Sequence, residues 1–180
     1  MNLYESALKI AIKAHDGQTR KHDGSAYVVH PIMVSRIVEA GGFSEVAVAA
    51  ALVHDVLEDT PITEAELRVE LGDEVVDIVM TVSEDITLPW EERKEAYVEK
   101  VTAADESVWA VSVADKIHNA GDLIEFHSIT GPDAWKVFNR GKESKIWFER
   151  LLYTELSKVW QHPLLDIYAA KINELEALTD

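Results

Sequence analysis

The chain has 180 residues, enough to bury one sizeable core, and no linker-like stretch divides it, so a single domain is expected. Cysteine is absent, which excludes disulfides and thiolate ligands and leaves any metal to nitrogen and oxygen donors. A formal net charge of −16 argues against a nucleic-acid backbone as partner, and no apolar run reaches membrane-spanning length.

Leu3, Ala7, Ile10, Ala11 and Ala14 fall at three- and four-residue steps, so the first element is an amphipathic helix that stops near Asp16-Gly17. No cationic-then-apolar signal segment opens the chain, and a cytoplasmic protein is expected. A polar, Gly-containing loop follows, Gln18 to Tyr27, with the adjacent cations Arg20-Lys21 in an otherwise acidic chain. Such a pair reads either as solvated surface charge or as a ligand site. His30-Pro31 then leads a second helix through Val34, Ile37 and Val38, closed by Gly41-Gly42. His30 alone reads as a cap or core group, or as an imidazole able to meet another one.

The unbroken apolar run Val46 to Val53 reads as a helix buried in the middle of a domain. His54, Asp55, Glu58 and Asp59 follow at once. On a continuous helix His54 and Glu58 form one i,i+4 pair and Asp55 and Asp59 another, so neighbouring ridges present all four groups in one sector. Three carboxylates and an imidazole beside a core repel one another and lose hydration unless a cation compensates them, which makes a metal site one reading. A helix end fraying into an acidic turn before Pro61 is the other.

Thr63-Glu64-Ala65-Glu66 has the capping-box pattern, and the helix it starts ends at Leu71-Gly72. Val75 to Val82 and Val108 to Val113 are rich in β-branched residues. Both are read as helices, because two-residue alternation is missing from the first and the motif after the second needs helical spacing. Leu88 to Lys94 begins a further helix with Pro at its start, and Arg93 and Lys94 read as surface charges paired with nearby glutamates. The second buried run ends in Ala114 to Asn119, where Asp115 repeats the arrangement of His54-Asp55. With His30 these residues supply two imidazoles and two carboxylates, a donor set suited to Mn²⁺, Fe²⁺ or Zn²⁺ with positions left for water. Taken alone, Asp115 is an ordinary acid paired to Lys116. From Gly131 onward the chain reads as more helix with little chemistry: Trp135 and Phe138 before a turn at Asn139-Arg140-Gly141, a long helix through Ile146 and Leu156, and a last one carrying Tyr168 and Ile172. These aromatic residues read as core or subunit interface, which leaves a homo-oligomer open.

The ordered set His30-Pro31, His54-Asp55, Glu58-Asp59-Thr60 and Asp115 to Asn119, extended by Ala14 to Lys21 and Tyr27 to Pro31, resembles the HD-domain metal-dependent phosphohydrolases. The likeness is to the hydrolase domain of the RelA/SpoT alarmone enzymes and to stand-alone small alarmone hydrolases, and it covers about residues 3–125. The C-terminal helices, about 132–178, are similar more loosely to bacterial single-domain HD phosphohydrolases. The resemblance implies an all-α fold, a single HD-domain helical bundle over residues 1–180. It implies Mn²⁺, or another divalent metal, held by His30, His54, Asp55 and Asp115. Glu58 and Asp59 would be the catalytic groups that orient or deprotonate the attacking water. Arg20, Lys21, Tyr27 and Asn119 would line the nucleotide site, with Arg20 stacking on the base and Asn119 near the ribose.

The implied activity is hydrolysis of the 3′-pyrophosphate of guanosine tetra- or pentaphosphate, the alarmone of the stringent response, to GDP or GTP plus pyrophosphate. Cations at Arg20-Lys21, with Arg93-Lys94 and Lys116, would offset the repulsion between an acidic protein and this polyanion. Two positions depart from the family pattern: Ala26 stands where proline usually precedes the tyrosine, and Gly121 stands where an arginine commonly follows Asn119 by two positions. These leave the metal set intact and bear on the substrate. Competing readings are therefore a hydrolase of another phosphorylated nucleotide, such as a phosphorylated dinucleotide cofactor, and a noncatalytic nucleotide-binding sensor. The paired acids Glu58 and Asp59 speak against the sensor. A di-iron oxygenase needs further histidine ligands, and His15, His22 and His118 are not at convincing spacings. The synthetase and regulatory domains of the long family members do not fit in this length, so alarmone synthesis is not expected.

Overall fold

Ala47 through Val53 are all buried in the helix α3 (Glu45–Val53), and the elements that carry the site pack around it. The structure is a computed structural model that describes residues 2–21 and 23–179; His22 lies outside the described residues. α1 (Leu3–Ala14) and α2 (Val29–Ala40) contact α3, as do α6 (Asp73–Val82) and the 25-residue α8 (Glu106–Thr130). Alanine at four of those seven buried positions keeps the surface of α3 low, so neighbours on several sides approach closely. The Ser44 hydroxyl caps the helix by accepting from the Ala47 N–H at 3.3 Å. Just before it the chain reverses at Gly42, whose φ of 85° favours glycine.

α3 does not run on through the acidic cluster. His54 and Asp55 form a turn, with Asp55 at φ −93° and ψ −6°, and a separate short helix α4 (Val56–Asp59) follows. The single helical sector expected for the four charged groups is therefore bent at its middle.

The capping box is formed as read: Thr63 Oγ1 accepts from the Glu66 N–H at 3.3 Å, and Glu66 Oε2 accepts from the Thr63 N–H at 2.8 Å. It opens α5 (Glu64–Leu71). Both β-branched stretches are helical, in α6 and α8, because each buries its valines on packed faces where tertiary contact outweighs local propensity. α7 (Trp90–Thr102) lies between them, with Pro89 at its N-cap. After α8 come a 3-10 segment (Gly131–Val137), α9 (Gly141–Val159) and α10 (Pro163–Ala177). α9 packs on α7, and α10 packs on α8 and α9.

The main apolar core draws on residues from Ala7 in α1 to Ile172 in α10. A smaller cluster of Ala120, Leu123, Trp135 and Leu175 fastens the 3-10 segment to α8 and α10. The buried Glu149 carboxylate of α9 accepts from Tyr168 of α10 at 2.5 Å and is ion-paired to Lys145. The fold is all-α: among the described residues there is no strand, only one isolated bridge between Thr19 and Ala26, and no helix is long and apolar enough to cross a membrane.

Candidate metal centre and nucleotide pocket

His30 in the first turn of α2, His54 after α3 and Asp115 in mid-α8 come from three helices that meet in the core. Their donor atoms all lie within 4.8 Å of one another. Asp115 is not at a helix end, since α8 continues for four more turns past it; the acid is buried because both faces of this stretch are covered. Asp55 flanks the trio, with Oδ1 3.2 Å from His54 Nε2 and Oδ2 3.6 Å from His30 Nε2.

The chemistry of His54 tests whether these residues fit a cation. Its Nδ1 lies 2.8 Å from the Ala51 carbonyl oxygen, which can only accept, so Nδ1 carries a proton, and in the neutral form of the ring a lone pair faces outward at Nε2. That buried Nε2 has no hydrogen-bond partner, yet it faces Asp55 Oδ1 and, at 3.7 Å, Asp115 Oδ1. Three electron-rich atoms this close in a largely buried site call for a positive charge between them, either a proton or a cation. Burial opposes a charge on His54, and the Asp55 and Asp115 carboxylates overcome it, pushing the ring up to about 9. Burial would likewise raise Asp115, but Lys116, whose Nζ is 2.7 Å away, together with His30 and His54 holds it well below the usual carboxylate range. A divalent ion satisfies the same demand as a proton, and the four residues fit one. His30 is oriented from behind by His118, with the two Nδ1 atoms 2.9 Å apart.

The two acids after the His-Asp pair part company. Glu58 lines the same cavity of about 140 Å³ as His30, His54, Asp55 and Asp115. Its Oε1 accepts from the Glu84 N–H at 3.0 Å, and loss of hydration raises its carboxyl, reinforced by Asp55 and Glu84. Asp59 instead lines an adjoining cavity of about 480 Å³, together with Arg20, Lys21, Tyr27 and Asn119. The Tyr27 hydroxyl stands between the two chambers, 2.6 Å from Asp55 Oδ2 and 3.1 Å from Asp59 Oδ2. Loss of hydration raises Asp59 as well, and Asp55 adds to it.

Arg20 is held with little freedom. Nη2 donates to Asn119 Oδ1 at 3.0 Å and to Asp122 Oδ2 at 2.5 Å, and the guanidinium lies 5.6 Å from the centre of the Tyr27 ring. Asn119 also donates to Asp115 Oδ1 at 2.5 Å, so one amide joins the candidate metal centre to Arg20. All ten residues singled out in the sequence thus come together, Lys21 as an exposed residue on the outer wall.

Glu84 and Asp122 were not singled out and His118 was set aside on its spacing, yet each contacts a residue that was singled out. His118 and Asp122 carried a signal, since they fall three and seven residues after Asp115 on one helix. Glu84 carried none, because it sits in a loop whose path is set by α6 and α7.

Residues 7–130 match the family profile described as HD domain. A guanosine-3′,5′-bis(diphosphate) 3′-pyrophosphohydrolase of Haemophilus influenzae is 40% identical over 120 residues, covering 63% of this chain and 18% of the relative. The Homo sapiens guanosine-3′,5′-bis(diphosphate) 3′-pyrophosphohydrolase MESH1 is also 40% identical over 120 residues, covering 65% of this chain and 67% of the relative. Among solved structures, lmo0812 from Listeria monocytogenes EGD-e superposes with a TM-score of 0.75 at 35% identity, covering 80% of this chain and 96% of that one. A structure described as a metazoan ortholog of SpoT that hydrolyzes ppGpp superposes with a TM-score of 0.82 at 25% identity, covering 99% and 98%. With His30, His54 and Asp115 gathered in one cluster inside the matched span, the chain belongs to the HD domain family.

Proposed function

We propose that this protein is a Mn²⁺-dependent hydrolase that removes the 3′-pyrophosphate of guanosine tetra- or pentaphosphate, acting in the cytoplasm as one HD-type domain over residues 1–180. The observation that carries the reading is His54 Nε2, buried without a hydrogen bond against two carboxylates and next to a chamber walled by Arg20 and Tyr27. Relatives named for that activity at 40% identity support the choice of substrate.

His30, His54, Asp55 and Asp115 would hold the ion, and an all nitrogen and oxygen set rich in carboxylate suits Mn²⁺. When bound, a divalent ion there supplies water of lowered pKa and neutralises phosphate charge. The oxygen of water bonds to the phosphorus attached at the 3′ oxygen, that phosphorus–oxygen bond breaks, and the nucleoside keeps a protonated 3′ oxygen while pyrophosphate departs. Glu58, fixed through Oε1 by the Glu84 N–H and with its carboxyl raised by loss of hydration, takes the proton of the water at its other oxygen. Asp59 works from the nucleotide side, sharing the Tyr27 hydroxyl with Asp55 and so setting how Tyr27 and the bound substrate sit. Arg20 offers a flat, immobilised guanidinium to a base, Lys21 a mobile charge to phosphate, and Asn119 its place between chambers to the ribose.

A panel of nucleotides with Mn²⁺ tests this. Guanosine tetraphosphate should yield pyrophosphate and GDP faster than any other member, while orthophosphate released mainly from a 2′-phosphorylated dinucleotide would contradict the substrate assignment.

A further inference from the structure

Lys116 and Asn119 form part of the wall of the metal pocket, and on their other side lies a third cavity of about 360 Å³. This cleft is basic in a chain that has 33 acids and 17 lysines and arginines. Arg93 and Lys94 reach it from α7, Lys116 from α8, Arg140 from the turn before α9 and Lys145 from α9. Arg140 and Lys145 lie beyond the span that matches the HD domain profile, residues 7–130.

Five cations face three carboxylates. Glu84 pairs with Arg93 at 2.8 Å and with Lys94, Asp115 pairs with Lys116 at 2.7 Å, and Glu149 pairs with Lys145. Arg140 has no carboxylate partner among the described residues; its guanidinium lies 4.9 Å from the centre of the Trp90 ring. Arg93 Nε is buried and makes no hydrogen bond, because Glu84 lies off the line that one needs. The ammonium groups of Lys94 and Lys116 both approach one aromatic ring, 4.4 Å and 5.6 Å from the centre of Phe148. Burial lowers the Lys94 pKa, and repulsion from Lys116 and Lys145 adds to it. Such crowding is relieved by an anion.

The order of the chambers says which anion. Tyr27 and Asn119 are common to the Arg20 chamber and the metal pocket, and Lys116 and Asn119 to the metal pocket and the basic cleft. A nucleotide with its base beside Arg20 and its scissile phosphate at the metal ligands extends its next phosphate toward Lys116. We propose that the cleft between α7 and residues 140–145 is the subsite for the outer phosphate of the pyrophosphoryl group, with Arg140, Lys145, Lys94 and Lys116 as its donors. This rests on the pyrophosphohydrolase reading given above.

Arg140 is the residue to change, since it is exposed and has no acidic partner, whereas Lys145 neutralises the buried Glu149. Isothermal titration of inorganic pyrophosphate and, separately, of GDP into wild type, Arg140→Met and Arg140→Lys reads binding without turnover. Loss of one charge-assisted contact should weaken pyrophosphate roughly tenfold in Arg140→Met, with most of the affinity restored in Arg140→Lys and GDP changed less than about twofold. Unchanged pyrophosphate affinity in Arg140→Met overturns the subsite, as does an equal or larger loss for GDP, which would place a 5′-diphosphate in the cleft. Wild type that turns over no guanosine tetraphosphate but loses pyrophosphate affinity on Arg140→Met refutes the activity and leaves the anion cleft standing. Normal turnover with unaltered pyrophosphate binding refutes the cleft alone.

Discussion

Glu58 and Asp122 act on the site through different neighbours, and their variants should fail in different ways. One oxygen of Glu58 is fixed by the Glu84 N–H, so Glu58→Gln keeps the side chain in place and removes only its capacity to take a proton. Turnover should drop on the order of 10²- to 10⁴-fold with metal content and nucleotide affinity preserved. Metal loss in that variant, seen by elemental analysis, would make Glu58 a ligand instead. Asp122 touches no proposed ligand of the ion; it holds Arg20 at 2.5 Å. Asp122→Ala should therefore raise KM roughly tenfold with kcat nearly unchanged, the cost of one charge-assisted anchor. A fall in kcat at constant KM would show that Asp122 serves the metal side through His118, whose Nδ1 lies 3.6 Å from it.

At the scale of the elements, α8 carries both a metal-ligand candidate and the anchor of Arg20, with Gly121 between Asn119 and Asp122. That glycine has an ordinary helical φ, and a Cβ there would meet nothing within 4 Å. Gly121→Ala should stabilise the protein by about 1 kcal/mol, a rise in Tm of roughly 2–4 °C by calorimetry. A lowered Tm would mean that the open space beside Gly121 is needed by the fold. Much of this helix was legible: the apolar run into Asp115 and the three- and four-residue spacing to His118, Asn119 and Asp122 are sequence-local. The same holds for α3 and for the Thr63-Glu66 capping box. The turn at His54-Asp55 was not legible, because helix propensity does not report the ψ of −6° that Asp55 adopts when its carboxylate swings toward His30 and His54. That turn sets the direction of α4, on which Glu58 and Asp59, as consecutive residues pointing about 100° apart, line different chambers.

Across the whole molecule, the C-terminal helices read from sequence as packing alone, and the packing is there: Trp135, Phe148, Leu156 and Tyr168 are buried. Their charge was harder to place. Arg140 and Lys145 are separated from Arg93 and Lys94 by about half a hundred residues, and only the seating of α9 on α7 makes them neighbours of Lys116. Three cations in six positions, Arg140, Lys142 and Lys145, were the available hint in so acidic a chain. The metal set behaved differently, because HD adjacency and a buried aspartate after an apolar run are patterns that demand compensation wherever the chain folds. The claim on which the rest depends is that the lone pair of His54 and its two facing carboxylates belong to a divalent ion. Elemental analysis of purified wild type beside Asp115→Ala tests it most directly: wild type should carry a divalent metal that Asp115→Ala loses, and a metal-free wild type, or undiminished metal in Asp115→Ala, would contradict it.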